Sequence, residues 1–203
     1  MNPPFLVQMS DETFDAIPNK AVPRTVKLAD PSLTGPKALL WIFAGYCERL
    51  LGKNEPWREW FQECGGSVDS PEHRNVLTEG QRILYLLSSL DGQVENGGVC
   101  QFFWNCPRLV FGVPDALESI GEHSLRQQYN KALEALIGGT DDWIELRKRA
   151  SDDPANFWTP FQESCDLLDL GWFDDAYFQT YRQGLISRLV DHVRTHRHEF
   201  IRP

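Results

Sequence analysis

Beyond residue 36, apolar positions recur every three or four residues, the spacing that buries one face of a helix. Thr34-Gly35-Pro36 opens the first such segment with a capping residue and a proline suited to a first turn. "KALLWIFAGYCERLLG" is apolar nearly all round, which predicts a central helix ending at Gly52. "PWREWFQECGG" reads as a short helix between Pro56 and Gly65-Gly66. Ser70-Pro71-Glu72 opens a longer one, along which Leu77, Ile83, Leu84, Leu87, Leu90 and Val94 fall near helical spacing. This helix runs into Asn96 and stops at Gly97, and "VCQFFWN" forms a second short helix before Pro107.

Pro114 opens "PDALESIG". Ser124 is placed to cap "LRQQYNKALEALIG", where Leu125, Tyr129, Ala132, Leu133 and Leu136 line one face. "DDWIELRKRA" follows the turn Gly138-Gly139-Thr140. Pro154 starts a helix through "FWTPFQESCDLLD", broken near Pro160. The closing helix begins at Asp174 and Asp175 and carries a wide stripe of Tyr177, Phe178, Tyr181, Leu185, Ile186, Leu189 and Val193. Acids at its start and Arg194, Arg197 and histidines at its end match the helix dipole.

Residues 1–35 behave differently. Pro3, Pro4, Pro18, Pro23 and Pro31 punctuate them, and no helical period is sustained. "FLVQM" and "RTVKL" suit strands or extended arms. The pattern therefore predicts an all-α, multi-helix single domain over 36–203, with an irregular N-terminal arm, 1–35, packed on it.

Charge narrows the function. The net charge is -9 over 203 residues, with a pI near 5.0. Direct nucleic-acid binding needs Lys and Arg to neutralise phosphates, so an acidic chain argues against it and suits a basic protein partner. The charge is also segregated. No Lys or Arg occurs between Arg149 and Arg182, an interval that holds Asp152, Asp153, Glu163, Asp166, Asp169, Asp174 and Asp175. On one face, with Trp158, Trp172 and Phe173 interleaved, these carboxylates form a negative patch for a basic surface. A solvated acidic face without a partner is the plainer reading. Neither a secretory leader nor an apolar run of about 20 residues is evident, so a cytoplasmic, non-membrane protein is expected. The five cysteines are odd in number and lack CxxC spacing, which suits reduced thiols in the core.

The other candidate chemistry is thin. Asn96-Gly97-Gly98 is a helix-stop signal, since both residue types tolerate the left-handed conformation, and Gly98 allows a close helix crossing. Glu95, Asn96, Gln101 and Asn105 cluster at the resulting corner. They either satisfy backbone groups of the turn or line a small-ligand or enzymatic pocket. Phe102, Phe103 and Trp104 cannot all face one way. No glycine-rich phosphate motif follows a strand. His192 and His196 lie four apart with His198 and Asp191 beside them, but the glutamate of a zinc-protease motif is missing and the dipole explains the histidines. No GxSxG or Cys–His signature supports a nucleophile, and paired aspartates suit helix starts. No catalytic residue, metal or cofactor is expected.

"LYLLSSLDGQVENGGVCQFFWN", followed by "DALESIGEHSLRQQYNKALEAL", resembles the acidic DNA-mimic protein family. The resemblance lies in Asn96-Gly97-Gly98, in Gln101-Phe102-Phe103-Trp104-Asn105 and in Ala116-Leu117-Glu118-Ser119-Ile120-Gly121, and it spans roughly residues 75 to 200. The ending "FDDAYFQTYRQGLISRLVDHVRTHRHEF" is similar to the family's Asp-rich turn and long helix. Gly121-Glu122 stands where the family has Gly-Ala. The resemblance implies an all-helical, non-enzymatic domain. It also implies a homodimer, and carboxylates spaced like DNA phosphates that occupy a helix-turn-helix regulator. A nuclease blocked by an immunity or antitoxin protein is the alternative partner for the same acidic face.

Overall fold

The computed structural model describes residues 7–8, 10–15, 78–107, 109–138, 143–153, 156–157, 159–160 and 167–202. Within them the regular structure is helical apart from one two-residue strand pair. Strand β1 (Val7–Gln8) and helix α1 (Asp11–Asp15) precede the long helix α2 (Glu79–Asn105). Then come α3 (Val113–Ser119), α4 (His123–Ile137) and α5 (Trp143–Asp152). The closing unit is α6 (Gly171–Ala176), a π turn at Tyr177–Tyr181, α7 (Arg182–Thr195) and strand β2 (Ile201–Arg202). The helices expected over 36–52 and 56–66, the arm boundary at 35/36 and most of the segment after Pro154 lie outside the described residues.

Helix α2 is capped by Thr78, and the start expected at Ser70-Pro71-Glu72 lies outside the described residues. Gln81 N–H donates to Thr78 Oγ1 at 3.2 Å, and Thr78 N–H donates to Gln81 Oε1 at 3.1 Å, a reciprocal capping box. Its apolar stripe, Ile83, Leu84, Leu87, Leu90 and Val94, is fully buried. The helix is interrupted at Gly97-Gly98 and resumes at Val99. Phe102 and Phe103 are both buried and both meet the Tyr129 ring, while Trp104 points outward. The three consecutive aromatics thus divide between core and solvent.

Helix α3 ends at Gly121, whose φ of 76° is a conformation glycine adopts without strain. Glu122 N–H returns to Leu117 O at 2.8 Å, so the turn consumes its own backbone groups. Ser124 therefore sits inside the first turn of α4, not at its cap; Glu122 holds that place, without a side-chain cap bond. The expected α4 face, Leu125, Tyr129, Ala132, Leu133 and Leu136, is buried throughout. Tyr129 O–H donates to Val110 O at 2.9 Å, which satisfies the one polar atom of an otherwise apolar ring.

The closing unit begins at Gly171, three residues before the expected Asp174, and is not continuous α-helix. Its π turn follows Ala176. Tyr177, Leu185, Ile186, Leu189 and Val193 are buried, Tyr181 is half-buried, and Phe178 leaves the expected stripe for solvent. Val7 and Gln8 pair in parallel with Ile201 and Arg202, one of the extended readings of "FLVQM". The five-residue helix α1 was not anticipated there. It carries the buried Phe14, and Asp11 lies 3.5 Å from Arg197.

Thr78 also donates from Oγ1 to Glu199 O at 2.9 Å, so one hydroxyl caps α2 and holds the chain's last turn. Thr78→Ala should lower unfolding free energy by about 1–2 kcal/mol. Urea denaturation checks this, with Thr78→Ser retaining most of the wild-type midpoint.

Candidate functional site

Helix α2 and the closing unit run antiparallel, and polar side chains bridge them along their length. At one end Gly80 N–H donates to Glu199 Oε2 at 2.7 Å. Midway, Asp91 accepts from Tyr177 O–H at 2.8 Å and from Arg182 Nε at 2.7 Å. Arg182 reaches on to Glu95 Oε2 at 2.6 Å. At the far end Val99 N–H donates to Asp174 Oδ1 at 2.8 Å.

The last contact explains the glycines. Interrupting α2 at Gly97-Gly98 frees the amides of the helix that restarts at Val99, and a carboxylate is the preferred partner at a helix start. Gly98 has φ 81° and ψ 177°, and a Cβ there would lie 2.3 Å from Asp174 Oδ2. Glycine is thus required both by the backbone and by the approach of Asp174. The close crossing expected at Gly98 is made by this side chain. Gln101 and Asn105 both donate to Gln93 Oε1 at 2.8 Å, a cluster on the outer face of the corner. Glu95 and Asn96 are exposed, and Glu95 is held by Arg182.

The titration of these groups follows from their surroundings. Burial raises the Asp174 pKa, the Val99 N–H opposes the rise, and the neighbouring Asp175 charge adds to it. Burial, then Asp91, lifts Tyr177 well above the ordinary phenol value. The hydrogen bond to Asp91, with Glu95 behind it, keeps the Arg182 guanidinium charged. Burial pushes the Cys106 thiol up to about 11, which makes it a poor nucleophile.

The acidic interval is divided in its roles. Asp152, Asp153, Asp169 and Asp175 are exposed, Asp174 is half-buried, and Glu163 and Asp166 lie outside the described residues. Asp153 accepts from the Asn156 backbone at 3.3 Å and its amide at 2.6 Å. Asp169 accepts from Gly171 N–H at 3.1 Å, at the entry to α6. Asp174 and Asp175 come together on α6. Asp174 caps a helix, but the helix is α2 and not its own.

Sequence reasoning missed Asp91, Gln93 and Arg182. Arg182 was a visible signal, as the first cation after the acidic interval. It also missed the use of Glu122, the residue after the Gly121 turn. That carboxylate is nearly buried and pairs with Arg188 of α7 at 2.7 Å, tying the α3–α4 turn to the closing unit.

At the C-terminal histidines, the His192 and His196 rings lie 4.3 Å apart between centroids. Burial and the His196 charge lower the His192 pKa. Among the described residues no group of three or more His, Cys, Asp or Glu side chains is placed to hold a metal, and no helix is long and apolar enough to cross a membrane.

The model of the DMP19-like protein family matches residues 75–196, more than half of the chain and all of the corner just described. The chain belongs to the DMP19-like family. No curated protein and no solved structure matches it. Within the matched span, Asn96-Gly97-Gly98 and Gln101 to Asn105 form the corner that Asp174 and Gln93 hold.

Two outcomes test the latch. Gly98→Ala should cost about 2 kcal/mol or more, because it combines an unfavourable φ with displacement of Asp174. Asp174→Asn keeps an oxygen for Val99 and should fold. A raised carboxylate pKa means that the folded state favours the neutral form, so this group's stabilisation is present at low pH and lost as pH rises through the folded pKa. Asp174→Asn should flatten that decline in the range just above the ordinary aspartate value, which stability measured against pH would detect.

Proposed function

We propose that the chain is a non-enzymatic interaction protein that binds a basic DNA-binding protein through its acidic surface, in the place DNA would take. Membership of a DNA-mimic family supports the reading. The observation that carries it is the interval from Ala150 to Tyr181, which has no Lys or Arg and in which Asp152, Asp153, Asp169 and Asp175 are exposed. Exposed carboxylates with no Lys or Arg between them along the chain make the local potential more negative and attract an oppositely charged surface over about a Debye length, ~8 Å at physiological salt.

The partner would be a regulator whose DNA-reading face is rich in Arg and Lys. Such a surface meets carboxylates as it meets phosphates, by charge-assisted hydrogen bonds, and loses affinity as salt rises. Neither a cofactor nor direct nucleic-acid contact is part of this reading. Asp174 belongs to the latch, so its contribution is to place Asp175 and the start of α6, not to offer a free carboxylate.

The test is capture from native lysate on the immobilised chain at low and high salt, followed by a challenge with duplex DNA. A basic DNA-binding protein should be retained at low salt, lost at high salt and displaced by the duplex. Reversing Asp152 and Asp175 to Lys should weaken retention by roughly tenfold, with unfolding free energy changed by no more than about 0.5 kcal/mol. Unchanged retention by that variant contradicts the proposal. A retained nuclease would instead place the chain among inhibitors of DNA-cleaving enzymes.

A further inference from the structure

We infer that the solvent face of α6 and the π turn, formed by Trp172, Asp175 and Phe178, is a docking site for arginine side chains of a partner protein. The inference rests on the reading above that the partner is cationic. It adds which cation is selected, and by which residues.

Among the described residues the large apolar side chains left exposed are Trp104, Leu167, Trp172 and Phe178. The last three lie within the cation-free interval. Trp172 is 41 % exposed and Phe178 46 %, beside the buried Phe173 and Tyr177 and the half-buried Tyr181. Trp172, Asp175 and Phe178 follow one another at three-residue intervals from α6 into the π turn, and all three are exposed.

The two rings are held in place. Beneath them Phe173 and Tyr177 stack at 6.0 Å and 17°, and Tyr177 is fixed by its hydrogen bond to Asp91. Trp172 meets Phe173 edge-on at 6.1 Å, and Phe178 meets Tyr177 edge-on at 5.6 Å. Exposed aromatics anchored on a buried aromatic layer lose little freedom on binding, and rigid aromatic side chains are enriched among the residues that dominate interfaces.

Charge complementarity decides the occupant. A carboxylate accompanied by exposed rings suits a cation, and guanidinium suits it better than ammonium. Guanidinium is planar, stacks on aromatic faces and can form two parallel bonds to a carboxylate, whereas ammonium is a strongly hydrated point charge. The fold already contains one such arrangement. The Arg182 guanidinium carbon lies 5.6 Å from the Phe178 ring centroid while its nitrogens hold Asp91 and Glu95. Phosphate mimicry by carboxylates alone has no use for exposed rings beside them; arginine recognition does.

The experiment titrates the full chain with an oligo-arginine peptide and an oligo-lysine peptide of equal length and charge, followed by calorimetry. The wild type should bind the arginine peptide more tightly, by roughly two- to fivefold for each engaged ring. Trp172→Ala and Phe178→Leu should each reduce that preference, and Asp175→Asn should weaken both peptides, the arginine peptide more. Phe178→Leu keeps an apolar cover on Tyr177, whereas Trp172→Ala removes a ring packed edge-on against Phe173, so thermal unfolding of each variant is measured first and binding is compared at a temperature where both are folded. Equal, salt-sensitive binding of both peptides, unmoved by the two ring substitutions, overturns this inference and leaves the acidic reading intact. Failure of the wild type to bind either peptide at low salt overturns both.

Discussion

Helix ends carry amide groups that the helix itself cannot satisfy, and this fold meets that constraint with carboxylates from one distant segment. The central helix has two starts, one at Thr78 and one after the Gly97-Gly98 interruption. Glu199 reaches the first through Gly80 N–H, and Asp174 reaches the second through Val99 N–H. Both carboxylates belong to the C-terminal unit. Its antiparallel course along α2 is thereby pinned at two points, and the Asp91–Tyr177–Arg182–Glu95 contacts fill the stretch between. Burial of Leu84, Leu87, Leu90 and Val94 supplies the driving force, but apolar packing does not by itself select one register. The polar contacts are directional and select it.

That division of labour shapes the acidic interval. A carboxylate that caps a helix is not free to meet a partner, and Asp153, Asp169 and Asp174 each accept bonds from backbone groups. Asp152 and Asp175 are left more fully to solvent chemistry. The latch at Asp174 also orients its neighbours, because Trp172, Asp175 and Phe178 ride on the same helical unit. The buried Phe173–Tyr177 stack beneath them joins this surface to the core through Tyr129 and Phe102. A structural motif and an interaction surface thus share one helix, facing opposite ways.

Much of this was legible in the sequence where the signal was local. The buried face of α4 follows from its spacing alone, and the stop at Gly97-Gly98 follows from what glycine permits. The choice of an all-helical fold follows from the sustained period. What was not legible depended on contacts distant along the chain. Asp174 meets Val99 across 75 residues, and nothing at either position announces the pairing. The cap at Thr78 was legible but not read, since Thr78-x-x-Gln81 is itself a capping box. Ser124 lost its expected role because the Gly121 turn delivers the chain to Glu122 first. The π turn has no composition of its own, so the outward swing of Phe178, and with it the aromatic face, could not be foreseen from a stripe drawn at constant pitch.

The central claim is that the Asp174 carboxylate closes the restarted helix and so fixes the closing unit against it. The Val99 amide reports on this directly, since an uncapped helix-start amide exchanges freely with solvent while a bonded one waits for the fold to open. Native-state hydrogen exchange should find Val99 N–H as protected as the Leu84 and Leu87 amides. Exchange at the rate of a solvent-exposed helix start, with the core amides still protected, would contradict the account.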